Sequence, residues 1–350
     1  MTEGNSTMIT KILLLGFENL HSLKYLFFIG IFLVYCLAVS GNVFIITLVS
    51  TCRKLHRPMY IFLTQLSFLD ILLITTIVPN MLRIVLNEGI SMTFMGCIIQ
   101  FFFFAGLEMA ECLLLTVMSY DRYLAICTPL RYTSIMDFEL CVKLVVLSWL
   151  LSFILILIIT STMCSLQFCG PHIINHFFCD YTPLLDLSCT DTSIVQTEVF
   201  FMSAFVLGLP VIVIITSYVS IVFTILKIPS ITGRQKTFST CSSHLSVVSI
   251  YFGTIMGIYL LPHERSSLAT NKVLSLFYTV VTPFVNPMIY SLRNKDIKGI
   301  ITNITNKMRV RYDVHANAAH PRRSQNEVRA DAARSHCEVQ DDATHSRHSR

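Results

Sequence analysis

The sequence contains little charge for its length. Only 13% of its 350 residues are Asp, Glu, Lys or Arg, whereas 53% are hydrophobic. Soluble domains carry about 25% charged residues. The shortage of charge therefore excludes an ordinary soluble protein and indicates an integral membrane protein. Basic patches interleaved with aromatic residues are also missing from the body of the chain, which argues against a nucleic-acid partner.

Several functional signatures are missing as well. The first 20 residues lack the basic start, apolar core and small-residue cleavage site of a signal peptide, so we expect the first apolar span to direct insertion. Neither HExxH nor GxSxG occurs, which argues against an intramembrane enzyme. A transporter that uses the buried acids Asp70 and Glu111 is the alternative function, but transporters commonly repeat one half of the chain in the other. No such repeat is visible.

Long apolar runs dominate what remains. A helix needs about 20 apolar residues to cross the hydrocarbon layer, and these runs are apolar on nearly all faces. They predict an all-α membrane protein, a bundle of seven transmembrane helices over Leu23–Ser50, Pro58–Leu86, Cys97–Cys127, Glu139–Thr162, Gln196–Leu226, Phe238–Leu261 and Lys272–Leu292.

Positive charge is distributed unevenly among the loops. Lys and Arg are concentrated at 51–57, 227–237 and 293–309, and neither occurs between Lys143 and Lys227. Because cytoplasmic loops carry the excess of Lys and Arg, the basic side faces the cytoplasm. Seven spans then place the N-terminus outside and the C-terminus inside. Asn5, in an Asn-Ser-Thr sequon, becomes a candidate glycosylation site.

The predicted topology divides the chain into four parts. Residues 1–22 form an extracellular N-terminus, and 23–292 form the transmembrane domain with a long second extracellular loop at 163–195. Residues 293–309 are amphipathic enough for a short helix on the membrane surface. Residues 310–350 are polar and charged, which is typical of a disordered cytoplasmic tail.

Four cysteines fall on the predicted outer side, where disulfides persist. They are Cys97, Cys169, Cys179 and Cys189. Four cysteines allow three pairings, and spacing alone does not choose among them. His172 and His176, four residues apart in the same loop, are interpreted as ordinary loop histidines rather than as metal ligands.

Ionisable residues inside an apolar bundle are costly and mark functional sites. Asp121, Arg122 and Tyr123 lie at the predicted inner end of the third run. The alternative without a signalling role is an interfacial arginine that reaches toward lipid headgroups.

Asn286-Pro287 lies in the seventh run, where proline removes an amide donor and loosens the helix. A simple kink is the alternative to a switch there.

Six sequence blocks together resemble the tetrapod-type (class II) odorant receptors of the rhodopsin-like G-protein-coupled receptor family. They cover roughly residues 5–305 and read LHRPMY (55–60), LSFLD (66–70), MSYDRYLAIC (118–127), SY (217–218), KTFSTCSSHL (236–245) and PFVNPMIYSLRN (283–294). The resemblance implies a plasma-membrane receptor, not an enzyme. It implies a small volatile odorant as ligand, membrane lipid as surroundings, and an olfactory stimulatory G protein that raises cyclic AMP.

The resemblance also implies roles for single residues. Asp121 restrains Arg122 at rest, and Arg122 contacts the G protein after activation, while Tyr218 and Tyr290 move toward it. Cys97 pairs with Cys179, and Cys169 with Cys189. Asp70, Glu111 and Asn286 resemble an interior pocket that holds sodium at rest. The alternative is a protonated, hydrogen-bonded carboxyl, and no other cofactor is expected.

The family alignment implies a ligand cavity in the outer half of the bundle. Its predicted wall consists of Phe101, Phe104, Ala105, Glu108, Cys112, Met202, Val206, Ile255, Tyr259 and Thr279. Most are apolar or aromatic and suit a hydrophobic ligand. Glu108 departs from this character, and we hypothesise that it contacts ligands carrying a donor or a positive charge.

Two further features depart from the family pattern. The sixth helix reads Tyr251-Phe252-Gly253 where the family often has Phe-Tyr-Gly, so Phe252 takes the switch position without a hydroxyl. The tail after Met308 is some forty residues longer than usual in the family.

Overall fold

The computed structural model describes residues 10–17, 21–169, 172–260, 268–294 and 297–310 except 304 and 307. Within these ranges the backbone alone is described for 21, 236, 240, 258–260, 268, 269, 292 and 293. Asn5 and the tail beyond residue 310 lie outside the described part. The chain divides into two units, residues 1–295 and 296–350. In the second unit the described residues 297–303, 305–306 and 308–310 are helical.

Helices account for most of the described chain, which confirms the predicted fold class. They are α1 (Lys24–Thr51), α2 (Pro58–Asn87), α3 (Phe94–Cys127), α4 (Pro129–Ile135), α5 (Phe138–Cys164), α6 (Tyr181–Leu185), α7 (Ser193–Ser203), α8 (Leu209–Leu226), α9 (Ile231–Leu260), α10 (Leu268–Leu276) and α11 (Thr282–Arg293). The π-helical segments Ala204–Gly208 and Phe277–Val281 join α7 to α8 and α10 to α11 without a break.

Seven long helical segments result: α1, α2, α3, α5, α7–α8, α9 and α10–α11. Among the described residues, six of these segments are long and apolar enough to cross a membrane. The remaining segment, α9, is long but less apolar and is not one of the six. α9 begins at Ile231, earlier than the predicted Phe238, because a helix continues beyond the apolar stretch that hydropathy detects. α1 exposes apolar side chains such as Leu26, Ile29 and Leu33 along its length, as a helix facing lipid does.

Local sequence explains where several helices begin. The Thr93 side chain accepts a hydrogen bond from the Gly96 amide at 3.1 Å, so α3 starts at Phe94 rather than at the predicted Cys97. Asp137 caps α5 in the same way through the Leu140 amide at 2.7 Å. Pro58 occupies the first turn of α2, where its missing N–H costs nothing.

A small sheet that hydropathy did not predict lies at one end of the bundle. β1 (Lys11–Leu14) lies between β2 (Ile90–Thr93) and β3 (Ile173–Ile174). It pairs antiparallel with β2 and parallel with β3. Strands this short are held by their burial, since Ile12 and Leu14 are fully enclosed. We call this the sheet end of the bundle and the opposite end the Arg122 end.

Candidate functional site

A cavity of about 470 Å³ lies between the helices toward the sheet end. This volume lies within the range of small-molecule sites. Its described lining is largely apolar or aromatic and consists of Phe101, Phe104, Ala105, Glu108, Met109, Cys112, Ile156, Ile159, Asp180, Tyr181, Thr182, Val199, Ser203, Val206, Leu207, Tyr251, Ile255 and Tyr278.

Most of the predicted wall lies in this lining. The shared residues are Phe101, Phe104, Ala105, Glu108, Cys112, Val206 and Ile255. The five on α3 recur at helical spacing and share one face. Their contact with a ligand stays a prediction. The side chain of Tyr259 lies outside the described part.

Two predicted wall residues do not line the cavity. Met202 is half-buried, and its neighbour Ser203 occupies the wall instead. Thr279 is fully buried and donates to the Ser275 carbonyl at 2.6 Å, while the adjacent Tyr278 faces the cavity. Met202 lies just before the π-helical segment Ala204–Gly208, and Thr279 lies within the segment Phe277–Val281. The wider turn of a π-helix changes the direction of side chains relative to a regular α-helix.

The π-helical segment of the α7–α8 span also creates a contact across the cavity wall. The Cys112 thiol donates to the Val206 carbonyl at 3.0 Å, joining α3 to this segment. A π-helical bulge weakens the regular ladder of backbone hydrogen bonds, so its carbonyls are available to side chains. Cys112 is therefore held in place as part of the wall.

The two acidic side chains of the lining differ in their partners. Asp180, between α5 and α6, accepts hydrogen bonds from the Tyr181 amide at 2.8 Å and from the Tyr278 side chain. Removal from water raises the pKa of Asp180 above its ordinary value, and these hydrogen bonds oppose that rise. Both carboxylate oxygens of Glu108 are buried without a hydrogen-bond partner in the described part of the chain.

A polar cluster lies deeper in the bundle. The Asn286 amide nitrogen donates to the two carboxylate oxygens of Asp70 at 3.1 and 3.2 Å and to one oxygen of Glu111 at 3.5 Å. All three residues are buried. Two carboxyls that share a single amide donor leave oxygen atoms available to a small hard cation, so the residues fit the sodium site that the resemblance implies.

Pro287 produces a second polar contact near this cluster. Because proline has no N–H, the carbonyl of Pro283, four residues earlier, loses its helical partner. The Asn42 amide nitrogen of α1 donates to that carbonyl at 3.0 Å. Asn42 was not predicted, although a buried asparagine in an apolar span is a recognisable signal.

At the Arg122 end, Asp121 binds two partners. Its Oδ2 accepts from the Arg122 guanidinium, with Nε at 2.9 Å, and its Oδ1 accepts from the Tyr132 hydroxyl at 2.7 Å. Tyr132 lies in α4 and was not predicted. Burial and the neighbouring Asp121 carboxylate raise the pKa of Tyr132, so the phenol remains a donor.

Within the described residues, the remaining predicted switch residues do not share a common hydrogen-bond partner. The Tyr218 hydroxyl lies 2.6 Å from Nδ1 of His244. The Tyr290 hydroxyl is buried without a partner in the described chain. Tyr123 is half-buried and its ring lies near that of Tyr120. Phe252 packs edge-on against Tyr251 and does not line the cavity.

Two disulfides close the loops at the sheet end. Cys97 is bonded to Cys179, with Cα atoms 5.5 Å apart, and Cys169 to Cys189, with Cα atoms 5.8 Å apart. These are the pairs that the resemblance implies. His172 is exposed and His176 is buried, and the described residues contain no group of three His, Cys, Asp or Glu side chains arranged for a metal.

Comparison with a solved structure supports the fold. The chain matches a crystal structure of squid rhodopsin with a TM-score of 0.62 at 17% identity, over 81% of this chain and 80% of that one. At this identity the match shows a common seven-helix architecture.

Sequence comparisons identify the family. The chain is 46% identical to human olfactory receptor 11L1, over 87% of this chain and 94% of the relative. It is 44% identical to rat olfactory receptor 1468, over 89% of this chain and 99% of the relative. Such relatives are receptors rather than enzymes or transporters. A sequence model described as "Olfactory receptor" matches residues 31–307, and the chain therefore belongs to the olfactory receptor family.

Proposed function

We propose that this receptor binds small, mostly hydrophobic odorants in the cavity and activates an olfactory-type stimulatory G protein, which raises cyclic AMP. The observation that carries the proposal is the largely apolar cavity built on α3, the helix that also bears Arg122. Ligand binding shifts a pre-existing equilibrium toward a state in which Arg122 leaves Asp121 and contacts the G protein. A multi-pass transporter has no specific support.

We also propose the orientation in which the sheet end is extracellular. Support comes from the basic residues Arg53, Lys54 and Arg57 between α1 and α2, which mark the other side as cytoplasmic. The two disulfides at the sheet end agree with an oxidising compartment. In this orientation Asn5 is available for glycosylation, and the receptor is a plasma-membrane protein surrounded by lipid.

The pocket of Asp70, Glu111 and Asn286 is proposed to hold a sodium ion in the resting receptor. Its support is the donor set described above, in which two buried carboxyls share one amide donor. A bound cation offsets the cost of burying two acidic groups at the same depth.

The test is to express the full chain with the olfactory G protein and screen a broad odorant panel for cyclic AMP. At least one odorant is expected to raise cyclic AMP, and Arg122→Ala is expected to abolish the response at an unchanged surface level. Arg131→Ala, in α4, is the matched control and is expected to keep the response. A response retained by Arg122→Ala, or none to any odorant in the wild type at normal surface level, would contradict the proposal.

A further inference from the structure

The charged side chains in the described lining of the cavity are acidic. Two of its side chains, Glu108 and Asp180, are carboxyls, and none of the described lining residues is Lys, Arg or His. A low-dielectric cavity with charge of one sign attracts ligands of the opposite sign. The cavity is therefore suited to a cation rather than to an anion.

Of the two acids, Glu108 is the one available to bind a ligand. Asp180 already accepts hydrogen bonds from the Tyr181 amide and the Tyr278 side chain. The two oxygens of Glu108 are buried and accept no hydrogen bond of good geometry in the described part of the chain, because the nearby Tyr251 hydroxyl points to the Glu108 backbone carbonyl instead. A buried carboxyl without donors is unfavourable, so a ligand that supplies N–H donors gains affinity by satisfying it.

Two donors close to Glu108 already bond to backbone carbonyls. The Tyr251 hydroxyl donates to the Glu108 backbone carbonyl at 2.9 Å, and the Cys112 thiol, one turn along α3, donates to the Val206 carbonyl at 3.0 Å. A ligand carbonyl placed beside the ionised Glu108 carboxylate would meet acceptors instead of free donors. This arrangement disfavours aldehydes, ketones and esters at this position.

We propose that the cavity is selective for hydrophobic primary amines, whose ammonium group binds the Glu108 carboxylate while the apolar body packs against Phe101, Phe104 and Ile255. The inference rests on the proposed odorant function and names the ligand class for the same cavity. Primary amines are protonated near neutral pH, and an ammonium group carries three N–H donors.

The experiment uses the full-length receptor in the cyclic AMP assay with matched ligands. Benzylamine, benzyl alcohol and benzaldehyde form one set, and heptylamine, heptanol and heptanal form another. The amines are expected to be the most potent of each set on the wild type. Glu108→Gln is expected to lower amine potency about 10- to 100-fold, as loss of a charge-assisted hydrogen bond implies. It is not expected to lower the potency of an alcohol or aldehyde, because the Gln amide supplies N–H donors to a ligand oxygen.

Two further variants separate recognition from folding. Glu108→Asp keeps the carboxylate and is expected to retain part of the amine response. Glu198→Gln makes the same change on α7 outside the cavity lining, where one carboxylate oxygen accepts from Thr162, and is expected to leave amine potency unchanged. If Glu108→Gln does not reach the cell surface, the inference is tested by two other results. These are the potency ranking of the ligands on the wild type and the amine response of Glu108→Asp.

Two results would overturn the inference while leaving the odorant function intact. One is activation of the wild type by an alcohol, aldehyde or other panel odorant while the amines are inactive. The other is undiminished amine potency in Glu108→Gln at equal surface level. If neither these ligands nor the broad odorant panel activates the wild type, the proposed function fails and the inference fails with it.

Discussion

The Tyr251 hydroxyl donates a 2.9 Å hydrogen bond to the backbone carbonyl of Glu108 and so joins α9 to α3 in the cavity wall. Tyr251 is almost fully buried, and its ring packs edge-on against Phe252. The hydroxyl that the family often carries one position later is here replaced by one that bonds to the third transmembrane helix. A ligand beside Glu108 therefore lies next to a direct connection between the two helices.

Tyr251→Phe removes this connection while keeping the ring. A neutral hydrogen bond contributes about 1 kcal/mol, so we expect a lower melting temperature. Basal cyclic AMP is expected to rise, because α9 separates from α3 more readily. Thermal unfolding of the purified receptor and basal cyclic AMP measure the two effects. Tyr25→Phe, which changes an exposed ring on α1, is the control. Unchanged stability and unchanged basal signalling in Tyr251→Phe would refute this role.

Tyr132 stabilises the resting arrangement at the Arg122 end. Its hydroxyl occupies one oxygen of Asp121 while Arg122 occupies the other. Tyr132→Phe is expected to raise basal cyclic AMP severalfold, because a hydrogen bond to a charged group contributes about 1.5–3 kcal/mol and its loss weakens the hold of Asp121 on Arg122.

The control for this prediction is Tyr120→Phe, on the exposed side of α3, which is expected to leave basal signalling unchanged. Surface expression is measured for both variants, and basal cyclic AMP is normalised to it. A basal level in Tyr132→Phe equal to that of the control would show that the hydroxyl does not restrain Arg122.

His176 makes stability at the sheet end depend on pH. Burial, and then the positive charge of Lys272, lower the pKa of His176 to about 3, and its Nδ1 has no partner in the described chain. An unfolded histidine titrates near pH 6.5. Between about pH 6.5 and 3 the unfolded chain therefore binds the extra proton, and the free energy of unfolding falls as pH falls.

From pH 7.4 to 5.5 this histidine is expected to remove about 1 kcal/mol of stability. Thermal unfolding of the purified receptor at the two pH values measures the loss. His176→Phe is expected to reduce the pH dependence, whereas His172→Gln, at an exposed position of the same loop, is expected to leave it intact. A pH dependence that is the same in all three proteins would rule out His176 as its source.

Periodicity and charge in the sequence predicted much of the molecule. The apolar runs identified seven spans because a membrane requires about 20 apolar residues per helix, and the observed segments agree with them apart from their ends. Motifs such as Asp121-Arg122-Tyr123 and Asn286-Pro287 were recognisable because their residues are adjacent in the sequence. The α3 face from Phe101 to Cys112 was predictable because helical spacing fixes which side chains share a face.

Only the tertiary structure decided which side chains satisfy one another. Ser203 and Tyr278, beside and within the π-helical segments, line the cavity, whereas the neighbouring Met202 and Thr279 do not. The contacts of Asn42 with the Pro283 carbonyl, of Tyr132 with Asp121, and of Tyr251 with the Glu108 carbonyl join residues far apart in sequence or on different helices. Local patterns determine which groups enter the bundle, whereas hydrogen-bond partners depend on how the helices pack. Only the packed bundle therefore shows that the Glu108 side chain lacks a well-formed hydrogen bond within the described part of the cavity.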